Sequence, residues 1–339
     1  MKAVRIVEPF KVECIEAPKP TPKPGEALIK IEAAGICGSD IGAFKGTNNL
    51  VSYPRIIGHE LSGVVVSIPD DNPKGLKPGD KVVIEPYIYC GHCYPCRIGR
   101  TNCCTDMHTL GVHTDGGMCE YFCHPAHMLV KMPDDMTFEQ GALAEPLTID
   151  LQGIHRGEVK AGEYCVIIGA GPIGLGAAMT VQAYDAHAIL IDIVQERLDF
   201  AQNVAGIKNV INSSRENATK RIAELTNGDM AQFVMECSGA NQEIRATLDY
   251  VSNAGRIVFT GWPKKETSLP TDVITKKELD LRGGRNSVGK FEEAIELIHS
   301  KKVDMLKMLT KTIPVEEAPE AIIDIEKNPG NYMKVIVKF

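Results

Sequence analysis

The run Cys165-Val-Ile-Ile-Gly169-Ala-Gly171-Pro172-Ile173-Gly174 constrains this chain most, because a short apolar strand passes directly into Gly-x-Gly-x-x-Gly and then into an apolar helix. In such a motif the first glycine permits a tight turn, the second lets backbone amides approach a pyrophosphate, and the third lets helix and strand pack closely. Asp192 follows Gly169 by 23 residues and ends the next expected strand, where a carboxylate can accept hydrogen bonds from both hydroxyls of an adenosine ribose. Gly169, Gly171, Pro172, Ile173, Gly174 and Asp192 therefore read as a dinucleotide site. The Asp192 carboxylate would repel a 2'-phosphate, which favours NAD over NADP. Arg197 is a candidate for a phosphate contact or for a solvated position on the following helix. The glycine pattern alone also admits FAD.

Around this motif the chain changes character. Residues 1–150 hold short β-prone segments punctuated by Pro and Gly, which predicts an irregular β domain. From about residue 160 strands alternate with helical segments: strands at 164–168, 188–192, 209–211, 232–236, 255–260 and 278–281, helices at 172–183, 195–205, 215–225, 241–250 and 288–299. Such alternation predicts a doubly wound, mostly parallel sheet. The tail Tyr-Met-Lys-Val-Ile-Val-Lys-Phe reads as a strand returning to the first domain, which would make that domain discontinuous.

A length of 339 residues suits two domains with cores of their own. With 37 Lys and Arg against 44 Asp and Glu, the formal charge of -7 argues against a broad nucleic-acid-binding face. The opening residues lack the apolar core of a secretory signal, and no apolar run reaches membrane-span length, so a cytoplasmic location off the membrane is expected. Five of the 11 cysteines fall between Cys90 and Cys104, the clustering of a metal loop in a reducing compartment.

Within that loop, Cys90, Cys93, Cys96 and then Cys103 or Cys104 can supply four thiolates to a closed tetrahedral zinc site; an iron-sulfur site is the alternative. Elsewhere, Cys37 in Gly-Ile-Cys-Gly-Ser-Asp, His59 and Glu60 in Gly-His-Glu, and Glu145 in Ala-Glu-Pro offer a thiolate, an imidazole and carboxylates that can converge on a second zinc with room for a substrate oxygen. Sequence separation alone does not establish that convergence.

Taken in order, GICGSD, GHE, the CGHCxxC loop, AEP, GAGPIGL and the final MKVIVKF closely resemble the zinc-dependent medium-chain alcohol dehydrogenase superfamily, above all its sorbitol, threonine and sugar-acid branches. The resemblance implies an α/β plus β chain: a GroES-like catalytic domain over 1–150 and 290–339, and a Rossmann NAD-binding domain over 151–289, with the active site in the intervening cleft. It further implies NAD and two zinc ions per chain. Cys37, His59 and Glu145 match the catalytic-metal region, with Glu60 the adjacent carboxylate that ligates in some members. Cys90, Cys93, Cys96 and Cys104 match the structural-zinc loop, leaving Cys103 as the extra thiol. Lys334 matches a basic position that contacts cofactor phosphate in relatives. Ser39 matches a hydroxyl that passes the alcohol proton outward, and Gly42 stands where many relatives carry the next histidine of that relay.

The implied reaction is reversible hydride transfer between NAD and a secondary alcohol. AEP in place of a cysteine, with the stretches GRTNCC, LGVHTDGG and GGRNS, resembles the branch acting on six-carbon sugar acids, and implies an L-galactonate or L-gulonate 5-dehydrogenase. Lys45, Arg55 and Arg285 are candidates for the substrate carboxylate, Asn286 and Ser287 for its hydroxyls. The alternatives are a sorbitol-like polyol, threonine or vicinal-diol dehydrogenase, and a catalytically silent nucleotide-binding or structural protein. A small-molecule substrate and a homodimer or homotetramer are the implied partners.

Overall fold

The computed structural model describes all 339 residues, Met1–Phe339, and they divide into two units. One comprises Met1–Glu145, Phe291–Ser300 and Met308–Phe339; the other comprises Pro146–Lys290 and Lys301–Lys307.

The first unit is β-rich. Its main sheet runs in the order Leu129–Lys131, Lys81–Ile84, Glu60–Ser67, Glu26–Gly35, Lys334–Lys338 and Leu309–Pro314, with Tyr121–Pro125 also pairing onto Glu26–Gly35. The long strand Glu26–Gly35 is the hub, since both its edges are taken, and its apolar residues Ala27, Ile29 and Ile31 are fully buried. The final strand is antiparallel to it, with Ile336 opposite Gly35. The tail therefore does return to the N-terminal fold, and its apolar run joins the core through Val335 and Val337.

The second unit is a six-stranded parallel sheet in the order Asn209–Asn212, His187–Asp192, Tyr164–Ile168, Ala231–Glu236, Val251–Phe259, Asp280–Gly283. The near-continuous apolar runs of its central strands are what a sheet covered on both faces requires, and Val166, Ile189 and Val234 are fully buried there.

Several boundaries differ from the sequence expectation for local reasons. The helix expected at 215–225 starts at Ala218, because the Asn217 side chain accepts the Lys220 N–H and caps it there. The helix expected over 195–205 is α-helical only to Phe200 and continues as one π-turn, Ala201–Ala205, ended by Gly206 at φ 81°. The strand expected at 255–260 begins at Val251, directly after the helix Asn241–Tyr250. The helix expected from 288 begins at Phe291, and the strand expected at 278–281 is displaced to Asp280–Gly283. No helix is long and apolar enough to cross a membrane.

Candidate active site and cofactor unit

Strand register assembles the first cluster. Gly35 ends the hub strand and lies opposite Glu60 on one side and Ile336 on the other. A methyl group at Gly35 would overlap the Glu60 carboxylate. With only hydrogen there, Glu60 reaches across to Lys334, whose Nζ lies 2.5 Å from Oε1, both residues being almost wholly buried. Cys37 follows the hub strand and caps the helix Gly38–Phe44, and Asp40 accepts the Cys37 N–H at 2.9 Å, fixing the turn that presents the thiol. His59 immediately precedes Glu60, and Ser39 Oγ stands 3.4 Å from its Nε2.

The ligand atoms of Cys37, His59 and Glu60 all lie within 4.8 Å of one another. Two buried atoms in this group, His59 Nδ1 and Glu60 Oε2, have no hydrogen-bond partner, a state that a bound cation would explain. Charge agrees. Burial pulls the His59 pKa down, but Cys37, Asp40 and Glu145 around it outweigh that and hold it well above the usual value. A donor set that attracts positive charge so strongly, with one thiolate, one imidazole and carboxylate oxygen, fits zinc.

Glu145 is not a member of that three-residue group. It opens the helix Ala144–Gly157 and accepts the hydroxyl hydrogen of Tyr87 at Oε1. Burial pushes its carboxyl up to about 7, with His59 pulling it down and Glu60 pushing it further up.

The second cluster is the loop between the paired strands Tyr87–Ile88 and His108–Thr109. The sulfurs of Cys90, Cys93, Cys96 and Cys104 lie within 4.8 Å of one another, with Cys93 3.4 Å from Cys96 and 3.8 Å from Cys104. A tetrahedral ion with Zn–S bonds of about 2.3 Å spaces its sulfurs about 3.8 Å apart, so the loop is shaped for one. Backbone amides of Cys90 and Asp106 also point at the Cys104 sulfur, at 3.3 Å each. Cys103 is outside the group, in the turn Thr101–Cys103.

In the second unit, Gly169 takes φ 98° at the end of the first strand, and a methyl at Gly174 would overlap the Gly169 carbonyl oxygen. Gly171 caps the helix Pro172–Ala183, with Pro172 and Ile173 in its first turn, and a methyl at Gly171 would meet nothing within 4 Å. That open space beside a helix N-terminus suits a pyrophosphate. Asp192 accepts the amides of Ala170 at 2.6 Å and Val194 at 2.8 Å. It thus ties the glycine turn to its own strand end, a role additional to the ribose contact expected of it. Arg197 is half-buried on the helix Gln195–Phe200.

Of the remaining candidates, Lys45, Arg55 and Lys334 belong to the first unit and Arg285, Asn286 and Ser287 to the second. Lys334, expected on family grounds at a cofactor phosphate, is engaged by Glu60. Lys45 is paired with Glu326 at 3.1 Å, and Arg55 with Asp115 at 3.2 Å and Ser52 at 2.6 Å. Arg285 is exposed, Asn286 is half-buried at φ 44°, and the buried Ser287 hydroxyl has no hydrogen-bond partner.

Sequence reasoning missed Gly35, Asp40 and Tyr87. Asp40 had a local signal, since it stands at the third helical position after Cys37, where a carboxylate can reach back to the cap amide. Tyr87 had none: its partner is 58 residues away.

The alcohol dehydrogenase GroES-like domain family matches residues 23–134, and the zinc-binding dehydrogenase family matches residues 172–300. An uncharacterized zinc-type alcohol dehydrogenase-like protein of Haemophilus influenzae is 49% identical over 339 residues, covering 100% of this chain and 99% of its own. The L-galactonate-5-dehydrogenase of Escherichia coli is 32% identical over 94% of each chain. The crystal structure of the short chain alcohol dehydrogenase rspB of Escherichia coli CFT073, complexed with NADH, superposes with a TM-score of 0.93 at 32% identity, covering 100% of this chain and 99% of that one. With its GroES-like β-rich domain, its Rossmann-like domain and both donor clusters, the chain belongs to the zinc-type medium-chain dehydrogenase/reductase superfamily, close to the sugar-acid and polyol dehydrogenases.

Proposed function

We propose that this protein oxidises the fifth-carbon hydroxyl of a six-carbon sugar acid, L-galactonate or L-gulonate, with NAD as the hydride acceptor. At the coarser level the chain is a zinc-type, NAD-dependent oxidoreductase of sugar alcohols or sugar acids. The observation that carries this reading is the donor group of half-buried Cys37 with buried His59 and Glu60, two of whose atoms are left without hydrogen bonds.

When bound there, zinc supplies a Lewis acid for the substrate oxygen, and NAD supplies the acceptor for the hydride. The chain's own residues do the rest. Cys37, His59 and Glu60 would hold the metal, and Lys334 fixes the Glu60 carboxylate by bonding its Oε1. Ser39, whose Oγ is 3.4 Å from His59 Nε2, would receive the proton of the substrate hydroxyl and pass it outward. With both groups bound, the nicotinamide would take the hydride from the carbinol carbon and Ser39 would carry the hydroxyl proton away, so that the products would be ketone, NADH and a proton. Asp192 favours NAD, since its carboxylate would repel a 2'-phosphate.

The acid substrate is supported by the 32% identity to the L-galactonate enzyme over 94% of each chain. The engagement of Lys45 and Arg55 by acidic partners favours a second reading, a neutral polyol substrate. NADH formation by zinc-loaded protein against matched acids and polyols, run with NAD and NADP, separates the two. Efficient oxidation of neutral polyols with neither acid turned over at any concentration would remove the sugar-acid assignment.

A further inference from the structure

The donor group leaves a carboxylate over. Glu60 and Glu145 are both buried, and both bear on the charge of the groups around them. Only Glu60 joins Cys37 and His59. What differs between the two is the partner that holds each. Lys334 takes Oε1 of Glu60 and leaves Oε2 without a hydrogen bond, whereas the Tyr87 hydroxyl takes Oε1 of Glu145. Tyr87 is not free to follow that carboxylate. Its strand is paired residue by residue, Tyr87 with Thr109 and Ile88 with His108, at the base of the four-thiolate loop, and the Tyr87 ring is buried. A phenol so fixed anchors the carboxylate it binds.

We infer that Tyr87 is a positioning residue that chooses between the two carboxylates. Its O–H restrains Glu145 from joining the donor group, so that Glu60 is the third protein ligand and the remaining position is left for the substrate oxygen. The inference rests on the metal-dependent dehydrogenase reading above and adds to it the residue that keeps the metal site open.

The test uses full-length Tyr87→Phe, Glu145→Gln and the double variant, each with zinc and with cobalt in its place at the three-ligand site. Tyr87→Phe keeps the ring and removes only the O–H. It is expected to change the cobalt visible spectrum toward a higher coordination number, and to raise KM for the alcohol about tenfold or more with a smaller change in kcat. The double variant, with an amide too weak to compete, is expected to restore the spectrum of the unaltered protein. A merely space-filling tyrosine would move neither spectrum nor its rescue. An unchanged spectrum and KM in Tyr87→Phe, or an altered spectrum that the double variant does not restore, overturns the inference. Should Tyr87→Phe fail to fold, Glu145→Gln alone decides: an unchanged cobalt spectrum supports the assignment, and a changed one shows Glu145 to be a ligand and removes it. Absence of NADH formation by the unaltered, fully loaded protein would instead remove the dehydrogenase reading, and the cobalt spectra would still decide the role of Tyr87.

Discussion

Gly35 lies directly opposite Glu60 in the hub of the first sheet, and the absence of a side chain at Gly35 is what lets the Glu60 carboxylate cross to Lys334. The Gly35→Ala substitution should leave the strand intact while displacing the carboxylate. Zinc affinity at the three-ligand site should fall about 10- to 100-fold, the usual loss when a group supporting a ligand is disturbed. Competition against a chelator measures it, and unchanged affinity would show that Glu60 does not need that path.

Lys334 and Glu60 form an ion pair with side chains only 3% and 1% exposed. Lys334→Met removes one charge and leaves the other buried, which costs about 3–5 kcal/mol. Urea unfolding should show a loss of that size. A loss under about 1 kcal/mol, the scale of an exposed pair, would mean the pair is not sealed from water.

The two later glycines of the dinucleotide motif should respond differently. Gly171→Ala meets open space, so thermal stability should hold while NAD affinity falls about tenfold, or about 1.4 kcal/mol. Gly174→Ala drives a methyl into the Gly169 carbonyl and should lower stability as well. Titration calorimetry and melting of both variants check this; wild-type NAD affinity in Gly171→Ala would contradict the placing of pyrophosphate there.

Acid and alkaline stability should be governed in opposite senses by two neighbours, His124 buried and Glu85 half-buried. His124 Nε2–H donates to the Glu85 carbonyl at 2.8 Å, and burial holds the His124 pKa down to about 4 from 6.5. The folded state therefore binds fewer protons there than the unfolded chain, and this contribution, full above pH 6.5, is lost as pH falls toward 4. Burial, with Glu292 adding to it, raises the Glu85 carboxyl to about 7 from 4.5. Its contribution is full below pH 4.5 and is lost as pH rises through 7. Each shift is about 3 kcal/mol. Glu85→Gln should raise stability at pH 8 by up to that amount and change little at pH 4, and His124→Gln should flatten the acid limb alone. Denaturant midpoints across pH report both.

What the sequence made legible follows from the range of the forces involved. The strand Tyr164–Ile168 and the helices Pro172–Ala183 and Asn241–Tyr250 stand where apolar runs, glycines and spacing placed them, because those signals act within a few residues. Cys37 and His59 were visible because their residue types are chemically uncommon and sit in short motifs. The Tyr87 hydroxyl on Glu145, and Glu60 passing over Gly35 to Lys334, depend on register between strands far apart in the chain, and nothing local encodes it. The π-turn Ala201–Ala205 was hidden for a different reason, since its residues fit the helical spacing that precedes it.

The proposed reaction moves a hydride from the fifth carbon of a sugar acid to NAD. Supplying zinc-loaded protein with L-galactonate or L-gulonate deuterated at that carbon, and weighing the reduced cofactor, tests it directly. The expected product is NADH carrying the deuterium, with none formed once the metal is removed. Unlabelled NADH, or no reduction of NAD by either acid, would contradict it.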